Sequence, residues 1–385
     1  MDSAGRFLLL WPLCALLGSG CRDDGASLDD AGTGSQGPSS ADGSGAMASD
    51  GMETGASESS PGDGDGDGDG DGDGDGDGDG DGDGTLSDEY PGDVGICDDP
   101  AVVWCEGFEQ ASVGEFGSRY DQVRTDGMSF SAMVPAASSG SQSMAMAAGG
   151  GFGEATDAYT RLPGDGYDHL YLRYYVRHED APYHHTGVWL GGYAPPLAWP
   201  NPQAGSRPGG DDRLSVAVEP MGAVAGGLRL DFYNYWMNMR SWQNQPEPTQ
   251  FYGNTKVNRT DVFGPVDGWR CIEIAVRLND EPGSASGGEL ALWLDDELVY
   301  HYDETGPLGY HVADKFCPSD ATAPACADYA PPPQEHDEIL NLQWRNSLDL
   351  RLNYLWIQNY ISSGSGTVYF DDLVLATTRI GCISG

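Results

Sequence analysis

Apolar and polar residues alternate along much of the chain from residue 97 onward. Leu170–Arg177 exchanges the two classes at nearly every position, and Trp269–Leu278 behaves similarly. This two-residue period places successive side chains on opposite faces of a β-strand. Gly, Pro, Asn and Asp separate the segments. The pattern predicts strands at Val102–Glu109, Ser143–Ala147, Ala158–Leu162, Leu170–His178, His185–Gly191, Leu214–Glu219, Leu228–Trp236, Arg270–Leu278, Glu289–Tyr302, Ile339–Arg345, Leu350–Ile361 and Thr367–Ala376.

No capped amphipathic helix of ordinary length interrupts these strands. Many short strands without helices predict an all-β fold, an antiparallel β-sandwich or jelly roll. The segment that begins at Leu290 is expected to form two strands around a tight turn at Asp295-Asp296-Glu297.

The last predicted strand, Thr367–Ala376, is apolar on both faces, which favours a central place in a sandwich. Strict alternation puts Asp371 with Leu373 and Leu375 on one face. It puts Asp372 with Phe370, Val374 and Ala376 on the other. A buried carboxylate is costly unless it is paired, hydrogen-bonded or metal-bound. The strand is therefore expected to close the fold and to satisfy at least one acidic group.

Two parts of the chain carry its negative charge. The formal net charge is -42; residues 22–96 hold 22 acidic side chains and one arginine, and residues 97–385 hold 38 acidic and 17 basic side chains. Residues 22–96 contain almost no large apolar residue and include a Gly-Asp alternation at 62–84. Such a segment cannot offset its ordering entropy, so a disordered acidic linker is expected. A domain with only Lys256 and Lys315 as lysines is a poor partner for nucleic acid.

The first 21 residues are typical of an exported protein. Phe7–Leu17 is a short apolar run, too short to span a bilayer. The run ends in Leu17-Gly18-Ser19-Gly20-Cys21, which resembles a bacterial lipoprotein signal with Cys21 as the lipidated residue. The long Gly-Asp tether that follows looks like those of myxobacterial surface proteins. This predicts export and an outer-membrane or cell-surface lipoprotein, with ordinary secretion as the alternative.

Six cysteines lie in the expected domain, residues 97–385. An even number in an exported domain favours disulfides. Cys317 and Cys326 form the best local pair, and Cys97 with Cys382 would join the two ends. Zinc ligation is the alternative, but no Cys-x-x-Cys pair is present.

Acidic residues occur at both ends of this domain. The first predicted strand carries Glu106 and Glu109, and the last carries Asp371 and Asp372. The terminal strands of a jelly roll are often neighbours, and carboxylates that approach each other require a cation. Calcium takes oxygen ligands of this kind. The arrangement resembles the structural calcium site of jelly-roll carbohydrate-binding modules. The alternative is that each acid accepts backbone N–H bonds from a loop.

A set of polar side chains in the middle strands could carry proton transfer. Adjacent His184 and His185 point to opposite strand faces, so only one faces a cleft. Elimination from a uronic acid needs a base, an acid and a group that neutralises the carboxylate. The candidate base and acid are His185 with Tyr233 or Tyr235. The candidate partners for the carboxylate are Arg173 with either Gln343 or Asn234. The alternative is a histidine in a polar strand with tyrosines that fill the sandwich.

Aromatic residues are dense in the same part of the chain. Aromatic faces stack on sugar rings, while Arg and Asn supply hydrogen bonds around them. The candidate substrate-binding residues are Trp189, Tyr193, Trp199, Asn234 and Trp242. Trp199 and Trp242 lie in Pro- and Gly-rich loops and are expected to be exposed.

Several segments carry a family resemblance. They are Arg213-Leu-Ser-Val-Ala-Val-Glu-Pro, Asp231-Phe-Tyr-Asn-Tyr-Trp-Met, Gly268-Trp-Arg-Cys-Ile-Glu-Ile-Ala-Val-Arg-Leu-Asn, Leu292-Trp-Leu-Asp-Asp-Glu-Leu-Val and the closing strand. Their order looks like that of concanavalin A-like jelly-roll polysaccharide lyases and their non-catalytic relatives, with glucuronan and alginate lyases as the nearest groups. The Gln-x-His and Arg-Ser-Glu-Leu-Arg strands of alginate lyases have no match here.

The resemblance implies a polysaccharide partner and cleavage of a uronate-containing glycan by β-elimination. A carbohydrate-binding module without catalysis, or an adhesive surface protein, is the alternative. No nucleophile elbow, zinc-protease motif or phosphate-binding glycine loop is present, and no organic cofactor is expected. The protein is expected to be a monomer that meets the membrane only through a lipid anchor.

Overall fold

The structure is a computed structural model that describes residues 84–148, 155–179, 185–200, 204–242, 250–321, 326, 338–360 and 365–384. The expected signal segment, Cys21, His184 and the linker up to residue 83 lie outside these ranges. In the part of the chain that is described, no helix is long and apolar enough to cross a membrane.

Two large sheets form the body of the fold. The strands of the eight-stranded sheet are β1 (Val102–Glu106), β3 (Met128–Ser131), β4 (Ser143–Ala148), β6 (His169–Glu179), β12 (Trp269–Arg277), β13 (Glu289–Leu294), β14 (Glu297–Tyr302) and β19 (Gly366–Ala376). Their order in the sheet is β14-β13-β12-β6-β19-β4-β3, and β1 pairs with β19 beside this path.

The five-stranded sheet runs β2-β5-β18-β7-β8. Its strands are β2 (Gln122–Arg124), β5 (Thr156–Arg161), β7 (Thr186–Tyr193), β8 (Arg213–Val216) and β18 (Tyr354–Asn359). Two three-stranded sheets complete the described part: β9 (Val218–Val224), β10 (Gly227–Phe232) and β11 (Phe263–Pro265), then β15 (Leu308–Val312), β16 (Lys315–Pro318) and β17 (Glu338–Ile339).

Every ladder between these strands is antiparallel, so the predicted antiparallel β-sandwich of the jelly-roll type is confirmed. The described α-helices are only the short α1 (Leu86–Glu89) and α2 (Val113–Gly117). Ser112 caps α2 by accepting a hydrogen bond from the Glu115 N–H at 3.1 Å, which satisfies a donor that the helix itself cannot pair.

The core contains alternate residues of both large sheets. Leu172 and Ile274 contribute from the eight-stranded sheet, and Leu190 and Ile357 contribute from the five-stranded sheet. All four are fully buried. Burial of each such side chain stabilises the fold by about 1.5–3 kcal/mol. The residues directly before and after Leu190 and Ile357 point away from the core. They form the other face of the five-stranded sheet.

The closing strand β19 departs from strict alternation. Its pairing with β6 shifts between Asp371 and Val374, and Asp372 has a left-handed backbone with φ of 43°. This β-bulge adds a residue, so the strand reverses its faces at the aspartates. Phe370 therefore shares the main core with Leu373, while Val374 packs in a separate cluster. The expected grouping of Phe370 with Val374 is wrong for this reason.

The two ends of the domain meet as expected, but their disulfides differ from the prediction. β1 pairs with β19, which brings the first and last strands together. The structure joins Cys317 to Cys326, as predicted, with an S–S distance of 2.15 Å. Cys382 bonds to Cys271 rather than to Cys97. Cys97 instead bonds to Cys105, whose Cα lies 5.5 Å away, because the chain turns back at residue 99 into β1.

Packing also begins before Cys97, the expected start of the domain. Leu86 and Ile96 are buried against Val374 and Ile380. The Leu86 N–H donates to the Arg379 carbonyl at 3.2 Å. This short segment has too few apolar residues to be recognised as part of the fold by periodicity alone.

The predicted β13–β14 hairpin is present. Asp295 and Asp296 form its two-residue turn, with φ values of 50° and 66°. Such a turn matches the right-handed twist of the strands, and Asp tolerates the left-handed backbone.

Candidate functional site

The face of the five-stranded sheet that points away from the core carries a row of aromatic rings. Cross-strand pairing places Tyr159, Trp356 and Trp189 side by side on β5, β18 and β7. The ring centroids of Tyr159 and Trp356 are 6.5 Å apart, and those of Trp356 and Trp189 are 5.9 Å apart. Tyr233 extends this aromatic row beyond β8, with its ring centroid 5.8 Å from that of Trp189.

A histidine–carboxylate pair lies against this aromatic row. His185 immediately precedes β7, and its side chain and that of Trp189 both bind Glu219. Its Nδ1 is 3.0 Å from Oε2 of Glu219, and the Trp189 Nε1–H donates to Oε1 at 2.9 Å. The Glu219 side chain is 1% exposed, whereas the His185 side chain is 26% exposed. A buried carboxylate thus holds an accessible imidazole in a defined orientation.

The pairing determines the tautomer of His185. An ionised carboxylate only accepts hydrogen bonds, so the Nδ1–H of the imidazole donates to Glu219. The lone pair of the neutral ring then lies on Nε2, the atom from which such a ring can take a proton. The backbone of His185 is left-handed, with φ of 47°. Strain of this kind persists where surrounding contacts hold the residue, and it is frequent at functional sites.

A pair of tyrosines, Tyr233 and Tyr235, begins at the edge of the imidazole. The rings of Tyr233 and His185 meet edge to face with centroids 4.9 Å apart, and the hydroxyls of Tyr233 and Tyr235 are 3.4 Å apart. Burial raises the pKa of both phenols, and their mutual proximity raises the pKa of Tyr233 further. Both tyrosines are therefore protonated and can donate but not remove a proton. A side chain at Gly253 would collide with the Tyr233 ring, so glycine permits this close approach.

The neighbouring row on the same face carries polar groups. Arg124, Asp157 and Gln358 are aligned across β2, β5 and β18, and Gln358 is opposite Gly187 of β7. The Arg124 guanidinium hydrogen-bonds to Asp157, and this pairing raises its pKa. The Arg124 side chain is 43% exposed, whereas that of Asp157 is 1% exposed. A cation and an amide therefore lie along the row that leads to His185.

The structure does not bring Arg173 or Gln343 to His185. Arg173 lies on β6 in the other large sheet, where its fully buried guanidinium pairs with Asp93. Gln343 follows Asn341 in a loop, and its backbone N–H donates to the Asn341 side chain at 2.8 Å. That loop accepts a hydrogen bond from the Trp236 Nε1–H at the Asn341 carbonyl, at 3.2 Å.

The predicted substrate-binding residues are scattered. Trp189 belongs to the aromatic row, and Tyr193 lies further along the same strand face, stacked on Tyr354 with ring centroids 5.0 Å apart. Asn234 is fully buried and, between Tyr233 and Tyr235, points to the opposite side. Trp199 is 61% exposed and Trp242 is 37% exposed, as expected of loop residues.

Sequence reasoning missed Glu219, Trp356, Arg124 and Gln358. Glu219 had one usable signal, because it is a carboxylate at the end of the apolar run Leu214–Val218. The other three had none, since they come from segments distant in the sequence and meet His185 only through strand pairing.

The acidic side chains at the ends of the domain do not form one cluster. Glu106 accepts hydrogen bonds from Arg119, Gln110 and Tyr120, so its charge is already neutralised and it does not fit a metal site. Glu109 accepts bonds from the backbone N–H groups of Ser141 and Gln142. This is the loop arrangement that stood as the alternative to calcium.

Asp371 and Asp372 differ from the two glutamates. Each has a buried Oδ2 atom without a hydrogen-bond partner among the described residues. Burial raises the pKa of both carboxyls, and the Asp372 charge raises the pKa of Asp371 further. These two oxygens suit a hard cation, although no group of three His, Cys, Asp or Glu side chains in the described ranges is spaced to hold a metal. A cation here would complete its shell with backbone or water oxygens.

Comparison with solved structures finds similar folds at low identity. No family model matches the chain. No curated protein matches it either. Alginate lyase Aly36B is 10% identical with a TM-score of 0.43, and the match covers 74% of this chain and 99% of that one. The PL-14 alginate lyase from Aplysia kurodai is 15% identical, with a TM-score of 0.46 and coverages of 72% and 99%. An endo-β-1,4-glucuronan lyase from the fungus Trichoderma reesei is 10% identical, with a TM-score of 0.36 and coverages of 72% and 96%. At these values the likeness assigns no activity to this chain.

Proposed function

We propose that the protein is a polysaccharide lyase that cleaves a uronate-containing glycan by β-elimination on the aromatic face of the five-stranded sheet. The observation that carries this proposal is the His185–Glu219 pair at the aromatic row. Its Nδ1–Oε2 distance is 3.0 Å, and the Tyr233 ring lies beside the imidazole. Sugar rings stack on aromatic faces, which would place the glycan across His185, the oriented proton acceptor.

The proton transfers balance with residues of the site. Nε2 of neutral His185 takes the proton from C5 of the uronate, and the electron pair of that C–H bond forms the C4–C5 double bond. The C4–O bond to the leaving sugar breaks, and the leaving oxygen takes a proton from the Tyr233 hydroxyl. The proton on His185 then returns to the phenolate through solvent. Glu219 touches no substrate and positions the imidazole, whose positive charge it stabilises.

Arg124 and Gln358 are the groups that we assign to the substrate carboxylate. Removal of a proton next to a carboxylate becomes easier when its negative charge is neutralised. Arg124 is exposed and lies in the row that leads to His185, unlike the buried Arg173. Its existing partner Asp157 would share the guanidinium, which has five N–H donors.

The test is an elimination assay. The domain, incubated with a panel of polyuronates, is expected to raise the ultraviolet absorbance of the unsaturated uronate on at least one of them, while neutral polysaccharides give no rise. Absence of a rise on every polyuronate would contradict the lyase. Retention on polysaccharide in a gel shift under those conditions would instead support a binding module without catalysis.

That second candidate has its own supporting observation. Trp356 is half-buried and can offer part of its ring to a sugar, although Tyr159 beside it is fully buried. Arg124 on the same face already has an acidic partner in Asp157. A face of this composition also suits a glycan that is held and not cleaved.

We also propose that the protein is exported and attached to the outer membrane or cell surface through lipidated Cys21, with the acidic Gly-Asp segment as a spacer. The apolar run before Cys21 and the composition of residues 22–96 support this. Metabolic labelling with a fatty-acid analogue tests it, since a Cys21→Ser variant would lose the label.

Calcium is proposed as a structural ligand of Asp371 and Asp372, with the two buried oxygens as its support. Addition of millimolar calcium is expected to raise the Tm by a few degrees relative to chelator, because the ion offsets the burial of two like charges. The Asp371→Asn variant is expected to lose this response, while Asp349→Asn, at an exposed position, keeps it. An equal Tm with calcium and with chelator would exclude the ion.

A further inference from the structure

A cavity lies apart from the residues that surround His185. It has a volume of about 260 Å³, and its lining includes Trp236, Arg207, Arg240, His311 and Glu338. His311 is opposite Phe316 in the β15–β16 ladder and contacts its ring. Here this cavity is named the Trp236 pocket.

The size of the Trp236 pocket restricts its ligand. It is slightly smaller than the about 300–1,000 Å³ that drug-sized ligands occupy. It therefore suits one small molecule and not a polymer chain. The side-chain amides of Asn238 and Asn341 line it, bonded to each other at 3.2 Å. Trp236 is 1% exposed, so the amides and charged side chains are the groups that would contact a ligand. Amides in a small cavity suit the hydroxyl groups of a single sugar ring.

The Trp236 pocket carries positive charge in a domain that is strongly acidic. Arg207 and Arg240 lie at its wall, and Glu338 is the acid in its lining, paired with Arg240 at 3.0 Å. The guanidinium of Arg207 lies 5.5 Å from the centre of the Phe251 ring. Since residues 97–385 hold 38 acidic and 17 basic side chains, two arginines against one acid is a local reversal that favours an anion.

Behind the pocket wall lies a fully buried lysine. The Lys256 Nζ is 3.4 Å from the centre of the Trp236 ring and has no hydrogen-bond partner among the residues described. Nδ1 of His311, which lines the pocket, is also buried without one. Burial lowers the pKa of Lys256 well below its usual value, and burial with the Lys256 charge lowers the pKa of His311 to about 3.

The acids near Lys256 are already engaged. Asp231 accepts backbone N–H bonds from Lys256, Val257 and Asn258 at 2.8, 2.9 and 2.7 Å. Asp314 pairs with Lys315 at 2.9 Å. Buried donors of this kind normally have a partner in the working protein. An anion in the Trp236 pocket would supply a hydrogen-bond partner to His311 and would stabilise the ammonium of Lys256.

We propose that the Trp236 pocket is a binding site for the carboxylate of one sugar acid, a single hexuronate residue, which is held by Arg207, Arg240 and His311, with the ammonium of Lys256 behind the wall as a further positive charge. The choice of a hexuronate over another small acid rests on the proposed function. The pocket itself is independent of the proposed function, because its lining contains none of the residues assigned to the lyase site.

Isothermal titration of the domain tests the proposal with four probes. Glucuronate is expected to bind at one site, and glucose, which differs by the carboxylate, is expected not to bind. Acetate tests whether a carboxylate suffices, and inorganic phosphate tests whether another oxyanion does. No binding of glucuronate would overturn the proposal, as would equal binding of glucose, acetate or phosphate. Binding of glucuronate by a His185→Ala variant separates this site from the lyase site.

Two variants locate the ligand. Lys256→Met keeps the buried stem and removes the amine, and Arg240→Gln removes the charge at the wall; each is expected to weaken glucuronate binding at least tenfold. Lys256→Met is also expected to keep or raise the Tm, since a buried amine without a partner is costly. The matched control is Arg277→Gln, which breaks an exposed ion pair with Asp280 on the other large sheet. Unchanged affinity in both pocket variants would overturn the site.

Discussion

Replacement of His185 by alanine is expected to lower kcat on the preferred polyuronate by about 10²- to 10⁴-fold, the usual contribution of a positioned proton-transfer group. The His185 side chain is 26% exposed, whereas that of its partner Glu219 is 1% exposed. No other histidine in the described residues adjoins Tyr233 in the ring contacts of the structure. The rate of rise of the unsaturated-uronate absorbance, with substrate saturating, measures the effect.

A second His–Glu pair supplies the control. His301 and Glu289 are 2.8 Å apart on the β13–β14 hairpin, in the other large sheet. His301→Ala is expected to keep full activity. Glu219→Gln keeps the size of the side chain but weakens the orientation of His185, so kcat is expected to fall while KM changes little. Wild-type activity in His185→Ala would refute the assignment of the base.

Removal of the Cys271–Cys382 disulfide is expected to have the largest effect on stability. The bond joins residues 111 positions apart and ties the C-terminal segment to β12. Closure of a loop of this length restricts the unfolded chain, which contributes about 4–5 kcal/mol to the free energy of unfolding. The paired Cys271→Ser and Cys382→Ser variant is to be compared with wild type by denaturant unfolding at equilibrium.

The matched control uses the short disulfide. Cys97 and Cys105 are separated by 8 positions, so replacement of both by serine is expected to cost about 2.5 kcal/mol. The order of the two losses is the informative result. A smaller loss for the 271–382 pair than for the 97–105 pair would contradict the stabilisation by loop closure.

Local patterns predicted most strands of the two large sheets, because burial on one face leaves a two-residue period in each segment. They missed the short β2 and β3, and the strand predicted at Ile339–Arg345 ends at Ile339. The β13–β14 turn was also predictable from the sequence, since two aspartates between alternating residues tolerate a left-handed backbone. The side chains on each face of β19 could not be predicted, because the bulge at Asp371–Asp372 depends on the pairing with β6. The exchange of disulfide partners has the same origin, since Cys271 reaches Cys382 only through the order of the strands.

The candidate site divides in the same way. The common side of Tyr233 and Tyr235 was visible in the sequence, since they are two residues apart. The meeting of His185 with Trp189 was not, because His185 precedes β7 with a left-handed backbone and both side chains bind Glu219. Arg173 was placed near them in error, because sequence patterns do not reveal which sheet a strand joins; β6 lies in the eight-stranded sheet.

By itself the sequence determined the fold class, the tight hairpin and the aromatic strand faces, because each depends on residues close together in the chain. Only the tertiary structure decided which carboxylate meets His185, which arginine lies along its face and where the buried Lys256 rests. Glu219 is 34 positions from His185, and Arg124 meets the site through β5 and β18. Such neighbours arise from long-range strand pairing, whose order no local periodicity records.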